Sequence, residues 1–350
     1  MNKYKYFALF LLLPFWATLS AQTDVQRITA TAFTDAQGFV YKLPKTKLII
    51  EVKAGRTVSK AGPFYLYAER YLGVTNAITQ DSDIWTLQSV TVRTQGVPNN
   101  DKIFKITDVA NSTMLLQLTT DGIIAAINQQ VEEQPFEIIN TPAPVLDLKF
   151  NMAALGQDAL LAGSTAKMAE IASRQIYSIR ENRTDILTGE TDNIPAGEAM
   201  KVLFAEMDKN ERDLLELFIG KTASGTMTRS FELTPDKDLN NEVLFRFSQS
   251  RGFADKDDFG AAPVYINLKG DRKTMDATIK PTKKKSGIVY SIPGTAVVKI
   301  IFGGQTMYNG EFQIGQFGVE QSLAPNLFNK NATNSLIFDT RTGAMTQTLK

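Results

Sequence analysis

The sequence predicts an α+β fold, mainly β, in which two β-rich, sandwich-like modules are joined by a central helical segment. Three observations lead there. Between Ser164 and Gly220, apolar residues recur three and four apart: Met168, Ile171, Ala172, Ile176 and Ile179, then Met200, Leu203, Phe204 and Met207, then Leu214, Leu215 and Phe218. That spacing sets them on one face of a helix. Before and after this stretch the chain reads almost entirely as strand. Third, one stretch occurs twice, once on each side of the helices. Gly38–Thr57 (GFVYKLPKTKLIIEVKAGRT) and Gly287–Thr306 (GIVYSIPGTAVVKIIFGGQT) align without a gap and agree at seven positions, including Tyr41/Tyr290, Pro44/Pro293 and Thr46/Thr295. The expected division is 1–21 leader, 22–150 first β module with one short helix, 151–222 helical connector and 223–350 second β module.

The first residues, MNKYKYFALFLLLPFWATLSAQ, have the three parts of a secretory signal peptide. Lys3 and Lys5 supply the basic start, Phe7 to Leu19 the apolar run and Ser20-Ala21 the small-residue exit, with cleavage expected after Ala21. The alternative is an uncleaved anchor, for which the run is short, since a membrane span needs about 20 residues. No later segment is apolar enough to span.

In the first module a strand is expected to end near Leu43-Pro44, and Lys45 to Lys53 alternates polar and apolar as a second strand does. Phe64, Tyr67, Ala68, Tyr71 and Leu72 then fall at helical spacing, with Pro63 suited to the first turn and Gly73 to the stop. Strands are predicted at Ile84–Arg93, Lys102–Val109, Met114–Thr119 and Ile123–Ile127, the last two turned by Asp121-Gly122. Glu132–Leu161, with three prolines and little periodicity, reads as an irregular connection. Beyond the helices, strands are predicted at Met227–Leu233, Glu242–Ser248, Val264–Leu268, Gly287–Ile292, Ala296–Phe302, Glu311–Gly318 and Ser335–Phe338, with Arg341-Thr342-Gly343 turning into a last strand.

Composition closes several chemistries. The chain has neither Cys nor His, which removes disulfides, thiolate metal sites, cysteine and Ser-His-Asp hydrolysis and imidazole acid–base work. Past the leader, 36 Lys+Arg (38 less Lys3 and Lys5) stand against 37 Asp+Glu. A nucleic-acid partner would leave a basic footprint that is not here. Lys283-Lys284-Lys285 reads as a solvated turn. Carboxylate chemistry, Ser-Lys chemistry and oxygen-ligated calcium stay open.

The stretches VYKLPKTKLIIEV and GPFYLYAERYLGV resemble the start of the Bacteroidota envelope proteins grouped as "domain of unknown function 4831". The family is similar in carrying a signal peptide and in total length, and the likeness covers the whole mature chain. It implies an exported Bacteroidota protein and brings no activity, ligand or catalytic residue.

Each site candidate has a plain competitor. Ser164-Thr165-Ala166-Lys167 is a Ser-x-x-Lys tetrad, and Thr191-Asp192-Asn193 and Lys221-Thr222-Ala223-Ser224-Gly225 echo the other elements of penicillin-recognising enzymes. One helical turn would set the Lys167 amine beside the Ser164 hydroxyl. Against this, Ser164 after Gly163 is a natural helix N-cap, and the three elements are too close together to contain that fold's sheet. Tyr65, Tyr67, Tyr71 and Trp85 are weak sugar- or peptide-binding candidates, because rings at helical spacing more often pack on a core. Asp255, Asp257 and Asp258 make a weak calcium loop, since Phe259 and Ile266 stand where oxygen ligands belong. Asp208 and Glu211 read as a capping box. Glu206, Glu211, Asp213 and Glu216 offer carboxylate pairs on what is otherwise a solvated helix face.

The expectation is an exported, non-enzymatic envelope protein that binds or scaffolds, with an envelope protein or glycan as partner and no cofactor. The alternative is a periplasmic hydrolase using Ser164 and Lys167 or a carboxylate pair.

Overall fold

The computed structural model describes residues 24–28, 38–107, 115–190, 196–273, 287–323 and 335–349. The leader, Thr191-Asp192-Asn193 and Lys283-Lys284-Lys285 lie outside them. The strands are β1 (Asp24–Ile28), β2 (Gly38–Lys60), β3 (Ser82–Thr107), β4 (Leu116–Leu118), β5 (Ile124–Ile127), β6 (Lys221–Leu233) and β7 (Leu239–Ser248). They continue with β8 (Gly252–Ala254), β9 (Ala262–Asp271), β10 (Val289–Phe302), β11 (Gln305–Ser322), β12 (Ser335–Phe338) and β13 (Met345–Leu349). The helices are α1 (Ala68–Leu72), α2 (Gln157–Leu160), α3 (Thr165–Thr188) and α4 (Glu198–Ile219). The fold is α+β and mainly β.

Three antiparallel sheets form, in the orders β1-β3-β2-β6, β11-β10-β9-β7-β8 and β13-β12-β5-β4. The pairing does not divide the chain at the helices. β6, which follows them, pairs with β2 from Leu48↔Leu233 to Lys60↔Lys221. β12 pairs with β5, bringing Leu336 opposite Ile127. The first two sheets share one core, in which Leu48, Ile50, Val52 and Ala54 of β2 face Phe245, Val264, Ile266, Val298, Ile300 and Phe317 of the second sheet. The alternation read from Lys45 to Lys53 therefore sets Leu48, Ile50 and Val52 in the shared core, while Ile49 is buried outside it, and each fully buried aliphatic side chain contributes about 1.5–3 kcal/mol.

The strands run longer than the sequence suggests. Leu43-Pro44 does not end β2; it bends it. Register shifts between Lys42 and Pro44, with Pro44 opposite Pro98 of β3. The second copy behaves alike: β10 shifts register between Ile292 and Gly294, at Pro293. Proline lacks a ladder donor, so a local break in pairing accommodates it without ending the strand. The copies differ at the far end. Gly55 sits inside β2, whereas Gly303 and Gly304, with φ of 55° and 79°, make the tight turn from β10 to β11.

The bends meet. Tyr41, fully buried, donates its hydroxyl to the Val289 carbonyl (3.0 Å) and accepts from the Val289 N–H (2.8 Å). Burial pushes its phenol well above the usual tyrosine range. Thr46, also fully buried, donates to the Arg341 carbonyl (2.8 Å) and accepts from Gly315 N–H (2.9 Å). The turn 339–343 thus wedges between the two long hairpins.

The helices form a separate core with Phe64 and Ala68, built on Ala169, Ala172 and Ile176 of α3 and Leu214, Leu217 and Phe218 of α4. The expected short helix is present as a 3-10 turn, Tyr65–Tyr67, running into α1, with Gly73 left-handed at its end (φ 68°). The capping box needs correction. α4 is continuous from Glu198 to Ile219, so Asp208 is mid-helix; there it pairs with Arg183 of α3, and Glu211 pairs with Arg180 and Arg183. The Asp-x-x-Glu spacing fits a helix start and a helix flank equally well, and the partner helix decides.

Candidate ligand-binding cleft

Where the bends, the third sheet and the connection after β5 converge, they enclose a cleft of about 1180 Å³. Its walls are residues 92–96 of β3, the β4–β5 hairpin, residues 131–136, Phe312 of β11 and the 339–341 turn. Clefts of several hundred Å³ and above are the size that holds small ligands or chain segments. Glycine explains one wall: a Cβ at Gly96 would overlap the Thr340 carbonyl, so only Gly lets the turn sit against β3.

The roof, residues 131–136, is clipped rather than packed. The Gln117 side-chain amide donates to the Val131 carbonyl and accepts from the Val131 N–H, both at 2.6 Å, as a backbone partner would. Glu133 accepts from Thr120 N–H at 3.3 Å. Arg93 is held by Glu51, donates to the Glu137 carbonyl (2.8 Å) and stacks its guanidinium 4.5 Å over the Phe136 ring. Arg341 grips Asp339 through two nitrogens (3.0 and 2.9 Å), which raises its already high pKa. With Arg93 and Arg341 neutralised in these pairs, Asp121, Glu132 and Glu133 leave the lining with excess negative charge. Rings (Phe136, Phe312, Phe338) and polar groups (Gln95, Thr119, Gln134) supply the rest. The arrangement can seat a neutral or cationic ligand that presents hydroxyls or amides and one apolar face.

None of the site candidates read from the sequence lines this cleft. Ser164 caps α3, its Oγ accepting from Lys167 N–H at 3.3 Å. The Lys167 ammonium pairs with Glu170 at 3.1 Å. Trp85 is 6 % exposed in the shared core, with Arg56 5.5 Å over its ring. Tyr67 and Tyr71 stack at 6.0 Å and pack on the helical core, beside half-buried Tyr65. Asp255 lies 3.8 Å from Arg229, while Asp258 is held by Arg251 (2.9 Å), which lowers its pKa, and accepts from Gly260 N–H. Asp257 lies in the same turn, where its carbonyl accepts from Phe259 N–H. Among the described residues no three His, Cys, Asp or Glu side chains converge as a metal site would require. Glu206, Glu211, Asp213 and Glu216 lie along α4, and Glu211 and Glu216 line a smaller hollow of about 750 Å³. Lys209, Arg180, Asn151 and Lys221 respectively engage them. The cleft residues were missed because they come from six separate segments. The local cues are Asp121-Gly122 and Arg341-Thr342-Gly343, legible as turns but not as walls.

The fold and cleft define a three-sheet α+β protein with a strap-roofed groove at its sheet junction. Residues 37–346 match the family model described as Domain of unknown function (DUF4831), and the chain belongs to that family. No curated protein matches the chain, and no solved structure does. Among the described residues no helix is long and apolar enough to cross a membrane.

Proposed function

We propose that the chain is an exported cell-envelope protein of Bacteroidota that works by binding or scaffolding, with the sheet-junction cleft as its ligand seat. Export rests on the leader-like start, with Lys3 and Lys5 ahead of the apolar run Phe7–Leu19. Binding rests on one observation above the others: a cleft of about 1180 Å³ that mixes aromatic rings with amides, hydroxyls and carboxylates. That chemistry suits a glycan or a polypeptide segment of the envelope.

The test uses a photo-crosslinking residue at Gln95 or Gln134, in the native envelope, with Lys299 as a control position on another sheet. One stoichiometric glycan or protein adduct at the cleft positions, absent at the control, supports the proposal. Covalent labelling of the purified chain by a β-lactam or serine-reactive probe, lost in Ser164→Ala, would overturn it in favour of a hydrolase.

A further inference from the structure

The connection that roofs the cleft continues as a strap along the outer edge of β6, and there it imitates a strand without becoming one. Asn140 Oδ1 accepts from Ser230 N–H (2.8 Å), and Thr141 N–H donates to the Thr228 carbonyl (2.9 Å) while its Oγ1 accepts from Thr228 N–H (2.7 Å). The Pro144 carbonyl accepts from Arg56, whose ladder partner is Gly225 (3.0 Å), and the Lys149 carbonyl accepts from Lys221 Nζ (3.0 Å). Strap positions 140, 141, 144 and 149 thus meet β6 positions 230, 228, 225 and 221, an antiparallel course that advances about one residue per residue. Gly225 permits it, because a Cβ there would stand 2.5 Å from the Pro144 ring.

Yet the strap holds the edge weakly. Thr141 to Thr228 is the one backbone–backbone bond between strap and β6 among the described residues. Side-chain oxygens of Asn140 and Thr141 take the places of carbonyls. Pro142 and Pro144 fix φ near −65°, which draws the chain off a ladder. Two of its apolar side chains gain little, Ile139 at 46 % and Val145 at 94 % exposed, while Leu146 and Leu148 are half-buried and Phe150 anchors the far end on the helical core. A segment that lies in strand register, forgoes the ladder and leaves Ile139 and Val145 in water over the stretch facing Thr228 to Gly225 is built to be exchanged there.

We propose that the β6 edge is a strand-addition site for a proline-free extended polypeptide, and that the strap is its resident competitor. The strap shows what fits: an antiparallel segment, a hydroxyl or amide side chain opposite Thr228 and Ser230, and nothing bulky over Gly225. A chain with intact β geometry completes the ladder bonds that the strap leaves unmade. This surface is distinct from the cleft, and the inference does not depend on what the cleft holds.

The absence of cysteine gives a clean test. In Thr141→Cys/Thr228→Cys the only disulfide the chain can form locks the strap down, since directly opposed strand residues lie within disulfide reach. The probe is a fluorescent peptide copying residues 138–150 with threonine in place of both prolines, followed by anisotropy. Binding to the reduced protein, weaker by at least about tenfold after oxidation and strengthened several-fold in Thr141→Ala, is the expected result; the proline-containing peptide binds about tenfold more weakly. Equal binding in both redox states, no binding to reduced protein or Thr141→Ala, or a Thr141→Ala protein that dimerises through this edge without taking up peptide, each overturns the proposal.

Discussion

Replacing Thr46 with valine removes two hydrogen bonds and almost no volume. Thr46 is fully buried, and its hydroxyl joins the Arg341 carbonyl to Gly315 N–H at 2.8 and 2.9 Å. Valine keeps the branched shape but leaves a donor and an acceptor unpaired at the junction of the two long hairpins. Each stranded buried group costs about 1–3 kcal/mol, so the pair is expected to cost about 2–4 kcal/mol. Thr46→Ser keeps the hydroxyl and loses one methyl, for about 1 kcal/mol. Urea unfolding followed by circular dichroism and by Trp85 fluorescence gives both numbers, provided the two probes coincide. A valine variant within about 0.5 kcal/mol of wild type, or a serine variant as damaged as the valine one, would show that Thr46 acts by packing and that the hydroxyl bridge is incidental.

Tyr41 carries a pH prediction. Its phenol stays protonated in the fold above the usual value near 10, whereas in the unfolded chain it ionises there. The folded state thus binds more protons, so this contribution is complete below pH 10 and falls by about 1.4 kcal/mol per unit above it. Tyr41→Phe should flatten that part of the stability profile in alkaline urea titrations; an unchanged slope would refute the assignment. Phe218→Ala, in the helical core at full burial, should lose about 3–5 kcal/mol. By contrast Arg183→Ala, which cuts the pairs to Asp208 and Glu211 while Arg180 keeps Glu211 partnered, should lose about 1 kcal/mol. Thermal melts of these two side by side test the contrast, and comparable losses would mean the helix pair is held by charge. Gly62→Ala should destabilise strongly, because a Cβ there would overlap the Leu217 carbonyl; a melt unchanged from wild type would show that the helices slide freely on the sheet.

Much of the secondary structure was legible in the sequence, because it rests on local pattern. Met168, Ile171 and Ile176 announce α3, Ser164 its cap, and Asp121-Gly122 the β4–β5 hairpin, where Gly122 takes φ 79°. Strand length was not legible. Pro44 reads as an ending, and only its position opposite Pro98 shows a bend shared by two strands. The same holds for Asp208 and Glu211, whose role depends on Arg180 and Arg183 one helix away. The pairing of β6 with β2 was hidden for a further reason: nothing in either strand's pattern names its neighbour. The cleft is the extreme case. Arg93, Gln117, Phe136 and Arg341 acquire meaning only through residues not adjacent in sequence: Glu51 for Arg93, Val131 for Gln117, Arg93 for Phe136 and Thr46 for the Arg341 carbonyl.

The wedge at 339–343 sets an order of events in time. A chain is made amino end first, and β2 and β3 precede the other long strands. Their bend cannot be finished then, since Tyr41 waits for Val289 and Thr46 waits for Gly315 and Arg341. Until Val289 is made Tyr41 lacks its partner, and until Arg341 is made the Thr46 hydroxyl lacks one of its two. The molecule therefore closes like a clasp: the turn 339–343 follows both long hairpins in the chain and ties the bend of the first to that of the second, through Thr46 and Ser291.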